Sequence, residues 1–253
     1  MTPEIRNIVI LGGTSAVAMA YARLQANAGH QICLVGRNEA ALKANVIDLK
    51  ARGAENASHH KIDLAKCDSI EKNWDLICKD MGTVDQLLLA YGILGDQNKT
   101  QENLQDLNLS LETNYLSAAI WAEAAFQTFR QQGHGQISVI GSVAGDRGRQ
   151  SNYHYGSAKG GLDVLISGMA HRAARLREAS VNVLLIKPGF IDTPMTDHIE
   201  KGGPLWASPE KIAKIIIAAE KKKKTKIYAP WFWRYILLII RFVPFFVFKR
   251  TDL

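Results

Sequence analysis

With 253 residues and 47% hydrophobic content, the chain can bury a large core, and a single α/β domain of this size is ordinary. Its three cysteines lack CxxC spacing and its seven histidines lack metal-ligand spacing, which argues against a metal-binding class. The N-terminus lacks the apolar stretch of a signal peptide. We therefore expect a cytoplasmic catalytic domain that binds no metal.

The first predicted strand, residues 8–11, leads into a turn of small residues and then into a helix that runs through Ala28. A strand, a tight turn and a helix N-terminus together form an anion site, where backbone N–H groups and the helix dipole meet a pyrophosphate. We therefore predict a dinucleotide site at this turn. Its candidate binding residues are Gly12, Thr14, Ser15 and Val17.

The second predicted strand, residues 31–35, ends at Gly36, Arg37 and Asn38. A dinucleotide site that prefers NAD usually presents a carboxylate here to the ribose 2′-hydroxyl, whereas this chain offers a guanidinium. We therefore predict NADP(H) as the cofactor, with Arg37 and Asn38 among its binding residues. The alternative is that Arg37 is a solvated residue at the start of the next helix, 39–50.

Further strands are predicted at 56–62, 84–90, 136–140 and 181–186, with helices between them. This alternation predicts one α/β domain, residues 1–229, with a Rossmann-type doubly wound parallel sheet and a ligand crevice at the carboxyl ends of the strands. Residues 190–208 interrupt the alternation, and we expect them to form a short substrate lid. The alternative is a passive surface loop.

Three residues near the predicted crevice are suited to polarising a carbonyl. Ser142 follows the strand at 136–140, and Tyr155 and Lys159 are four residues apart on one face of the next helix. A phenol, with a pKa of about 10, is a weak acid unless a cation stabilises the phenolate. Our hypothesis is that Tyr155 exchanges a proton with the substrate oxygen, while Ser142 orients that oxygen. Lys159 would lower the pKa of Tyr155 and hold a cofactor hydroxyl.

These residues, in this order, resemble the short-chain dehydrogenase/reductase family from about residue 7 to residue 229. The resemblance implies that Asn114 holds a helix bulge and a water behind the lysine, completing a catalytic tetrad with Ser142, Tyr155 and Lys159. It implies that Asp63 faces the adenine and that the PGxxxT-like segment beginning at Pro188 meets the nicotinamide carboxamide. The further cofactor residues that it implies are Asp63, Leu64, Ala90, Gly92, Tyr155, Lys159, Pro188, Gly189, Ile191 and Thr193.

The chain departs from the family pattern in two places. Ala16 and Ala18 stand where glycines are usual, and Ala90 stands where most members have the asparagine of Asn-Ala-Gly, which removes a polar strut behind the cofactor. The Gly-Gly-Thr-Ser turn, residues 91–96, residues 142–145 and the basic apolar C-terminus are similar to a narrower branch. This branch comprises the reductases of decaprenyl-phosphoryl 2-keto-pentoses, which form lipid-linked arabinose.

That narrower resemblance implies NADPH-dependent reduction of a ketone in a hydrophobic or lipid-linked substrate, a polyprenyl-phosphoryl 2-keto sugar. It also implies a homo-oligomer and a partner oxidase that supplies the keto intermediate. A 3-oxoacyl chain, a long-chain ketone or a steroid-like ketone is the alternative substrate. A non-catalytic, membrane-associated protein that senses nucleotides or binds a partner is the alternative of another class, because a fold alone does not determine function.

The tail, residues 230–253, is apolar, aromatic and basic. From Lys221 to the last residue there are nine Lys and Arg against one acidic residue, so all the excess positive charge lies there. Arg241 and Pro244 interrupt the apolar run, which therefore fits a transmembrane span poorly. We predict an amphipathic helix bound to an anionic membrane on its cytoplasmic face, or alternatively a tail that covers a groove or an oligomer interface. We expect no nucleic-acid partner, because phosphate binding does not require this aromatic density.

Overall fold

The computed structural model describes residues 5–197 and 200–251. Its main sheet has seven parallel strands, and the predicted doubly wound α/β fold is confirmed. The strands are β1 (Asn7–Leu11), β2 (Gln31–Gly36), β3 (Asn56–Lys61), β4 (Gln86–Leu89), β5 (His134–Ile140), β6 (Ser180–Pro188) and β9 (Lys226–Ala229). Their order across the sheet is β3-β2-β1-β4-β5-β6-β9, so the strand order reverses beside β1. That reversal is the topological switch point at which such sheets bind ligands.

Helices cover both faces of the sheet. They are α1 (Ala16–Asn27), α2 (Glu39–Ala51), α3 (Ile70–Met81), α4 (Gln97–Glu102), α5 (Leu104–Leu111), α6 (Ser117–Gln132), α7 (Tyr153–Ala174), α8 (Pro209–Lys221), α9 (Trp233–Phe242) and α10 (Phe245–Phe248). Alternate strand residues enter opposite cores, as the two-residue period of a strand requires. Val9 and Leu11 pack with α3, α6 and α7, whereas Ile8 and Ile10 pack with α1, α2 and α8.

Strand bounds differ from the predicted ones mainly at the ends. β6 continues to Pro188, beyond the predicted end at 186, because it pairs with β9 as far as the Pro188–Ala229 pair. β4 is shorter than predicted, since its pairing with β1 begins at Gln86. The backbone partners of a strand therefore determine its length more than its own apolar run does.

The predicted lid contains two short strands, β7 (Phe190–Ile191) and β8 (Trp206–Ala207), which pair with each other. The rings of Phe190 and Trp206 stack with centroids 5.3 Å apart. Residues 198 and 199 of the predicted lid lie outside the described residues. Movement of this segment as a lid stays a prediction.

The tail folds back on the domain as α9, followed by a break at Val243–Pro244 and the short α10. One face of α9 is buried, with Trp233 and Leu237 packed in a cluster with Val143. The opposite face is exposed to solvent. In the part of the chain that the structure describes, every helix is too short or too polar to span a bilayer. The buried face of α9 fits the alternative of a tail that covers a groove, while contact of the exposed face with a membrane stays a prediction.

Candidate active site

The loop after β5 places Ser142 beside the first turns of α7. Ser142 begins a short 3-10 turn, Val143–Asp146, and its Oγ accepts a hydrogen bond of 3.1 Å from the backbone N–H of Ala144. The turn then lies directly against α7, since a Cβ on Gly145 would stand 2.7 Å from the nitrogen of Gly160. This contact holds Ser142 against the helix that carries Tyr155 and Lys159.

Lys159 of α7 is buried, and its side chain extends toward the end of β5. Its Nζ donates a hydrogen bond of 3.3 Å to the carbonyl oxygen of Ile140 and lies 5.8 Å from the ring centroid of Tyr155. Burial lowers the pKa of Lys159 to about 8, because the ammonium loses hydration that one carbonyl only partly replaces. Lys159 is therefore a cation that can lose its proton close to neutral pH.

The pKa of Tyr155 shifts in the direction opposite to the expected one. Burial raises it, and the neighbouring Ser142 hydroxyl offsets only part of the rise. Lys159 was expected to lower this pKa, but its ammonium contacts the Ile140 carbonyl instead. A raised pKa keeps Tyr155 protonated at neutral pH, which is the state that a proton donor requires.

Asn114 lies in a π-helical turn, Glu112–Leu116, and the helix bulge implied by the family resemblance is confirmed. Its Nδ2 donates to the carbonyl oxygens of Ile93 (2.8 Å) and Ser110 (3.0 Å), and its Oδ1 accepts from the Ile93 N–H (3.0 Å). A Cβ on Gly92 would stand 2.6 Å from Asn114 Oδ1 and 3.5 Å from Lys159 Nζ. Glycine at 92 thus lets Asn114 and Lys159 approach the same strand end.

A cavity of about 1290 Å³ opens at the carboxyl ends of the strands. Ser142, Tyr155 and Lys159 line it, while Asn114 lies behind its wall. The structure brings nearly all of the predicted cofactor residues to this cavity: Gly12, Thr14, Ser15, Val17, Arg37, Asp63, Leu64, Ala90, Gly92, Tyr155, Lys159, Pro188, Gly189, Ile191 and Thr193.

Asn38 is the exception among the predicted cofactor residues. It does not line the cavity, and its side chain caps α2 by accepting a hydrogen bond of 3.1 Å from the N–H of Ala41. Asn is among the preferred residues at a helix N-cap, so this local role accounts for its position. Of these two residues, only Arg37 lines the cavity, and its contact with a 2′-phosphate stays a prediction.

The turn before α1 suits an anionic group. The N–H groups of Gly12 and Gly13 both donate to the carbonyl oxygen of Val35, at 2.8 and 3.0 Å, which fixes the turn between β1 and β2. Ser15 makes no side-chain cap at the start of α1, so the first-turn N–H groups face the cavity without a side-chain partner. These donors and the exposed guanidinium of Arg37 fit the phosphates of a dinucleotide.

The tail supplies one wall of the cavity, a more specific placement than the groove-covering tail that the sequence offered as an alternative. Trp233, Ile236, Leu237 and Ile240 of α9 all line it. They form an apolar stripe at helical spacing, which was the available signal in the sequence. Gly189 accommodates the tail, because a Cβ there would stand 1.9 Å from the indole Nε1 of Trp233.

Arg147 links this wall to the loop that carries Ser142. Its guanidinium donates hydrogen bonds to the carbonyl oxygens of Ile240 and Val243, the latter at 2.7 Å. It also lies 3.7 Å from the ring centroid of Phe248 in α10. The last carbonyls of a helix lack intrahelical partners, so Arg147 caps α9 and attaches it to the active-site loop.

A buried ionic cluster lies beneath the site. Lys187 of β6, whose side chain is 1% exposed, contacts Asp163 of α7 and lies 2.9 Å from Asp146 Oδ1 in the Ser142 loop. Lys226 of β9 also contacts Asp163. Burial alone would raise the pKa of Asp163, but hydrogen bonds from the two lysines outweigh it and hold that pKa below its usual range. The cluster joins the Ser142 loop to the helix that carries Tyr155 and Lys159.

Other titratable groups have structural surroundings. His154 Nδ1 lies 2.9 Å from Gln97 Nε2 and 2.8 Å from Thr100 Oγ1, which places α4 beside α7. Cys33 is fully buried in β2, and burial raises the pKa of its thiol to about 12, so it is an unreactive core residue. Among the described residues, no group of His, Cys, Asp and Glu is arranged to hold a metal ion.

Comparison with known proteins gives consistent results. A model of the short chain dehydrogenase family matches residues 6–203. An uncharacterized oxidoreductase of Mycobacterium tuberculosis is 32% identical over 246 residues, covering 96% of each chain. The human 3-oxoacyl-[acyl-carrier-protein] reductase is 30% identical over 208 residues, which are 80% of this chain and 85% of that protein.

Solved structures share the fold. An actinorhodin polyketide ketoreductase, crystallised with NADPH, superposes with a TM-score of 0.76 at 19% identity, covering 87% of this chain and 94% of its own. A short-chain type dehydrogenase/reductase of Mycobacterium ulcerans superposes with a TM-score of 0.77 at 21% identity, covering 90% of this chain and 89% of its own. Together with the matching family model and the full-length relatives, the residues meeting at the cavity lead to one conclusion: this chain is an oxidoreductase of the short-chain dehydrogenase family.

Proposed function

We propose that this chain is an NADPH-dependent reductase that transfers a hydride to a ketone of a hydrophobic or lipid-linked substrate. The observation that carries the proposal is that Ser142, Tyr155 and Lys159 line the same cavity as the anion site at the start of α1. NADPH, when bound, supplies the hydride. Tyr155 donates the proton to the ketone oxygen, and Ser142 donates a hydrogen bond to that oxygen. Lys159, which lines the same cavity, holds a hydroxyl of the cofactor.

The catalytic part of the proposal is tested by Tyr155→Phe. This change removes the proton donor and keeps the ring, so we expect loss of ketone reduction with NADPH binding retained. NADPH binding without turnover in the unmodified chain, across all ketones tried, would instead favour the non-catalytic alternative of a nucleotide-sensing or partner-binding protein.

NADP(H) is the proposed cofactor because Arg37 occupies the end of β2, where a 2′-phosphate is recognised. The actinorhodin polyketide ketoreductase, which has the same fold, was solved with NADPH. Titration of the chain with NADPH and NADH, followed by nicotinamide fluorescence, tests the preference. Equal affinity for the two, unchanged by Arg37→Ala, would contradict it.

The proposed substrate is a polyprenyl-phosphoryl 2-keto sugar, by the narrower resemblance of the sequence. The apolar wall from α9 supports a substrate with a long hydrocarbon portion, because the α9 side chains that line the cavity are aliphatic or aromatic. A 3-oxoacyl chain is the second candidate, since the human relative is named as a reductase of that class. A long-chain or steroid-like ketone would use the same wall.

We further propose that the tail rests on an anionic membrane surface. The outer face of α9 and α10 exposes an apolar patch formed by Leu238, Ile239, Phe242, Phe245 and Phe246. The exposed cations Arg234, Arg241, Lys249 and Arg250 lie in the same segment. An apolar patch with cations around it fits an anionic lipid surface, at about 1 kcal/mol for each cation near it. Sedimentation with anionic liposomes tests this, and full recovery in the supernatant would reject it.

A homo-oligomer and a partner oxidase complete the proposal. Beside α7, apolar side chains are exposed at Val164 of that helix and at Tyr115 and Leu116 of the adjoining π-helical turn. An exposed apolar face of this kind is typical of an interface between protein chains. Sedimentation velocity tests self-association of the chain. Co-purification with an oxidase that produces the keto sugar tests the second partner, and recovery of the chain without it would count against that partner.

A further inference from the structure

Three polar groups at the cavity lack a partner among the described residues. The Oδ1 of Asn152 and the Nε1 of Trp233 are buried without a hydrogen bond. The guanidinium of Arg149 makes no ion pair or hydrogen bond within the described ranges. All three residues line the cavity that Tyr155 lines. Buried polar groups are nearly always hydrogen-bonded, so an unpaired set around one cavity points to a ligand that pairs them.

Arg149 is a permanent cation inside this cavity. It lies in the loop that joins Ser142 to α7, and it is half-buried. Burial lowers the pKa of Arg149, yet a guanidinium stays protonated in proteins. A half-buried cation that no carboxylate neutralises attracts an anion, and the planar fork of a guanidinium matches a phosphate.

Trp233 and Asn152 add a donor and an acceptor. The indole nitrogen of Trp233 lies over Gly189, on the tail side of the cavity. Asn152 precedes α7 but does not cap it, because its side chain makes no capping hydrogen bond. An indole N–H can donate to an anionic oxygen, and an amide can accept from a hydroxyl.

The location of these groups separates them from the cofactor phosphates. The turn of Gly12 to Val17 and Arg37 belong to the segments that follow β1 and β2, whereas Arg149 and Asn152 belong to the loop between Ser142 and Tyr155. Trp233 comes from the tail. A ligand held by this second set would therefore reach Tyr155 from the loop and tail side.

We infer that Arg149, Asn152 and Trp233 form a subsite that binds a phosphate group carried by a hydroxylated ketone substrate. This inference rests on the proposed function, and it assigns residues to the phosphate of the first substrate candidate, a group that long-chain and steroid-like ketones lack. Arg149 pairs with the phosphate, Trp233 donates to one of its oxygens, and Asn152 accepts from a neighbouring hydroxyl. The apolar stripe of α9 holds the hydrocarbon portion.

Binding of simple probes tests the subsite without turnover. Geranyl phosphate and geraniol differ only in the phosphate, and each is titrated calorimetrically into the full-length chain with and without NADPH. We expect geranyl phosphate to bind at least tenfold more tightly than geraniol. Arg149→Gln should remove most of this difference. Arg177→Gln, an exposed arginine on the surface beyond α7, makes the same charge change and should leave it intact.

Two binding results would overturn the inference. One is equal affinity of geranyl phosphate and geraniol for the unmodified chain. The other is equally strong binding of inorganic phosphate, which would assign the subsite to the free ion rather than to a substrate-borne phosphate.

A kinetic comparison then tests specificity. A geranyl-phosphoryl 2-keto-pentose is compared with the same keto-pentose joined to geranyl by a neutral ether. Arg149→Gln should lower kcat/KM at least tenfold for the anionic ketone and less than twofold for the neutral one. Trp233→Phe should also lower kcat/KM for the anionic ketone selectively, but by a smaller factor. An equal loss for both ketones would show a merely structural role and refute the subsite. Absence of turnover in the unmodified chain would count against the proposed function, while the binding result would still decide the subsite.

Discussion

Neighbouring leucines on α9 provide a matched test of the tail as a cavity wall. Leu237 is 5% exposed and packs toward Val143, whereas Leu238 is 49% exposed on the outer face. Truncating a buried leucine to alanine costs about 2–5 kcal/mol of stability. The lower value suits a helix that is packed on one side only. If the free energy that docks α9 on the domain falls by about 2 kcal/mol, the undocked fraction of α9 rises about 30-fold. The reason is that each 1.4 kcal/mol changes an equilibrium constant about tenfold.

Hydrogen exchange and ketone kinetics measure the two consequences. In Leu237→Ala we expect α9 amides to exchange about 30-fold faster and KM for a long-chain ketone to rise. NADPH affinity should stay unchanged, since α9 contributes no residue to the anion site at the start of α1. Leu238→Ala should leave the exchange rates of the α9 amides and the KM for the ketone within about twofold of those of the unmodified chain. It should, however, weaken binding to anionic liposomes.

The opposite pattern would refute this reasoning. If both substitutions left KM for the long-chain ketone unchanged while α9 exchange accelerated in Leu237→Ala, the tail would not be a functional wall of the cavity. If Leu237→Ala left the exchange of α9 unchanged, the packing argument itself would be wrong.

Three further predictions concern charge. Lys187→Met removes the partner of the buried Asp146 and one of the two partners of Asp163, and it should cost about 3–5 kcal/mol of unfolding free energy. The side chain of Lys226 is 39% exposed, so Lys226→Met should cost about 1 kcal/mol or less. Urea denaturation at pH 7 measures both free energies, and equal costs would contradict the buried-cluster argument. The rate of ketone reduction should fall as the pH rises through about 8, where Lys159 loses its proton. If the pH–rate profile of Lys159→Met shows the same fall, the titrating group is not Lys159. Glu220 of α8 is buried, and its carboxylate accepts hydrogen bonds from the hydroxyls of Tyr21 and Ser138. Burial raises the pKa of Glu220, so its contribution to stability is present at low pH and is lost as the pH rises through the folded-state value. Glu220→Gln should therefore raise Tm more at pH 8 than at pH 5, and a pH-independent difference would count against this assignment.

The sequence predicted the sheet and most of the site because both depend on short-range patterns. Apolar runs between helical windows identify parallel strands, and a pair of residues four apart, such as Tyr155 and Lys159, can be placed on one helix face without any tertiary information. Arg37 could be placed at the cavity for the same reason, since it directly follows β2.

The rest depended on contacts between distant segments. Asn38 follows Arg37 directly, yet its side chain turns to cap α2, which chain position alone does not reveal. The direction of the Tyr155 pKa shift is set by burial, and burial is a property of the folded chain. Trp233 reaches the cavity only because α9 folds back over Gly189, which is far from it in sequence.

The central claim is ketone reduction by NADPH with Tyr155 as the proton donor. The most direct measurement is NADPH consumption by the full-length protein, given a polyprenyl-phosphoryl 2-keto-pentose in lipid vesicles and, in parallel, soluble and acyl-chain ketones, with Tyr155→Phe as the control. We expect turnover of the lipid-linked keto sugar that Tyr155→Phe abolishes, whereas absence of NADPH consumption with every ketone, or turnover that survives in Tyr155→Phe, would contradict the claim.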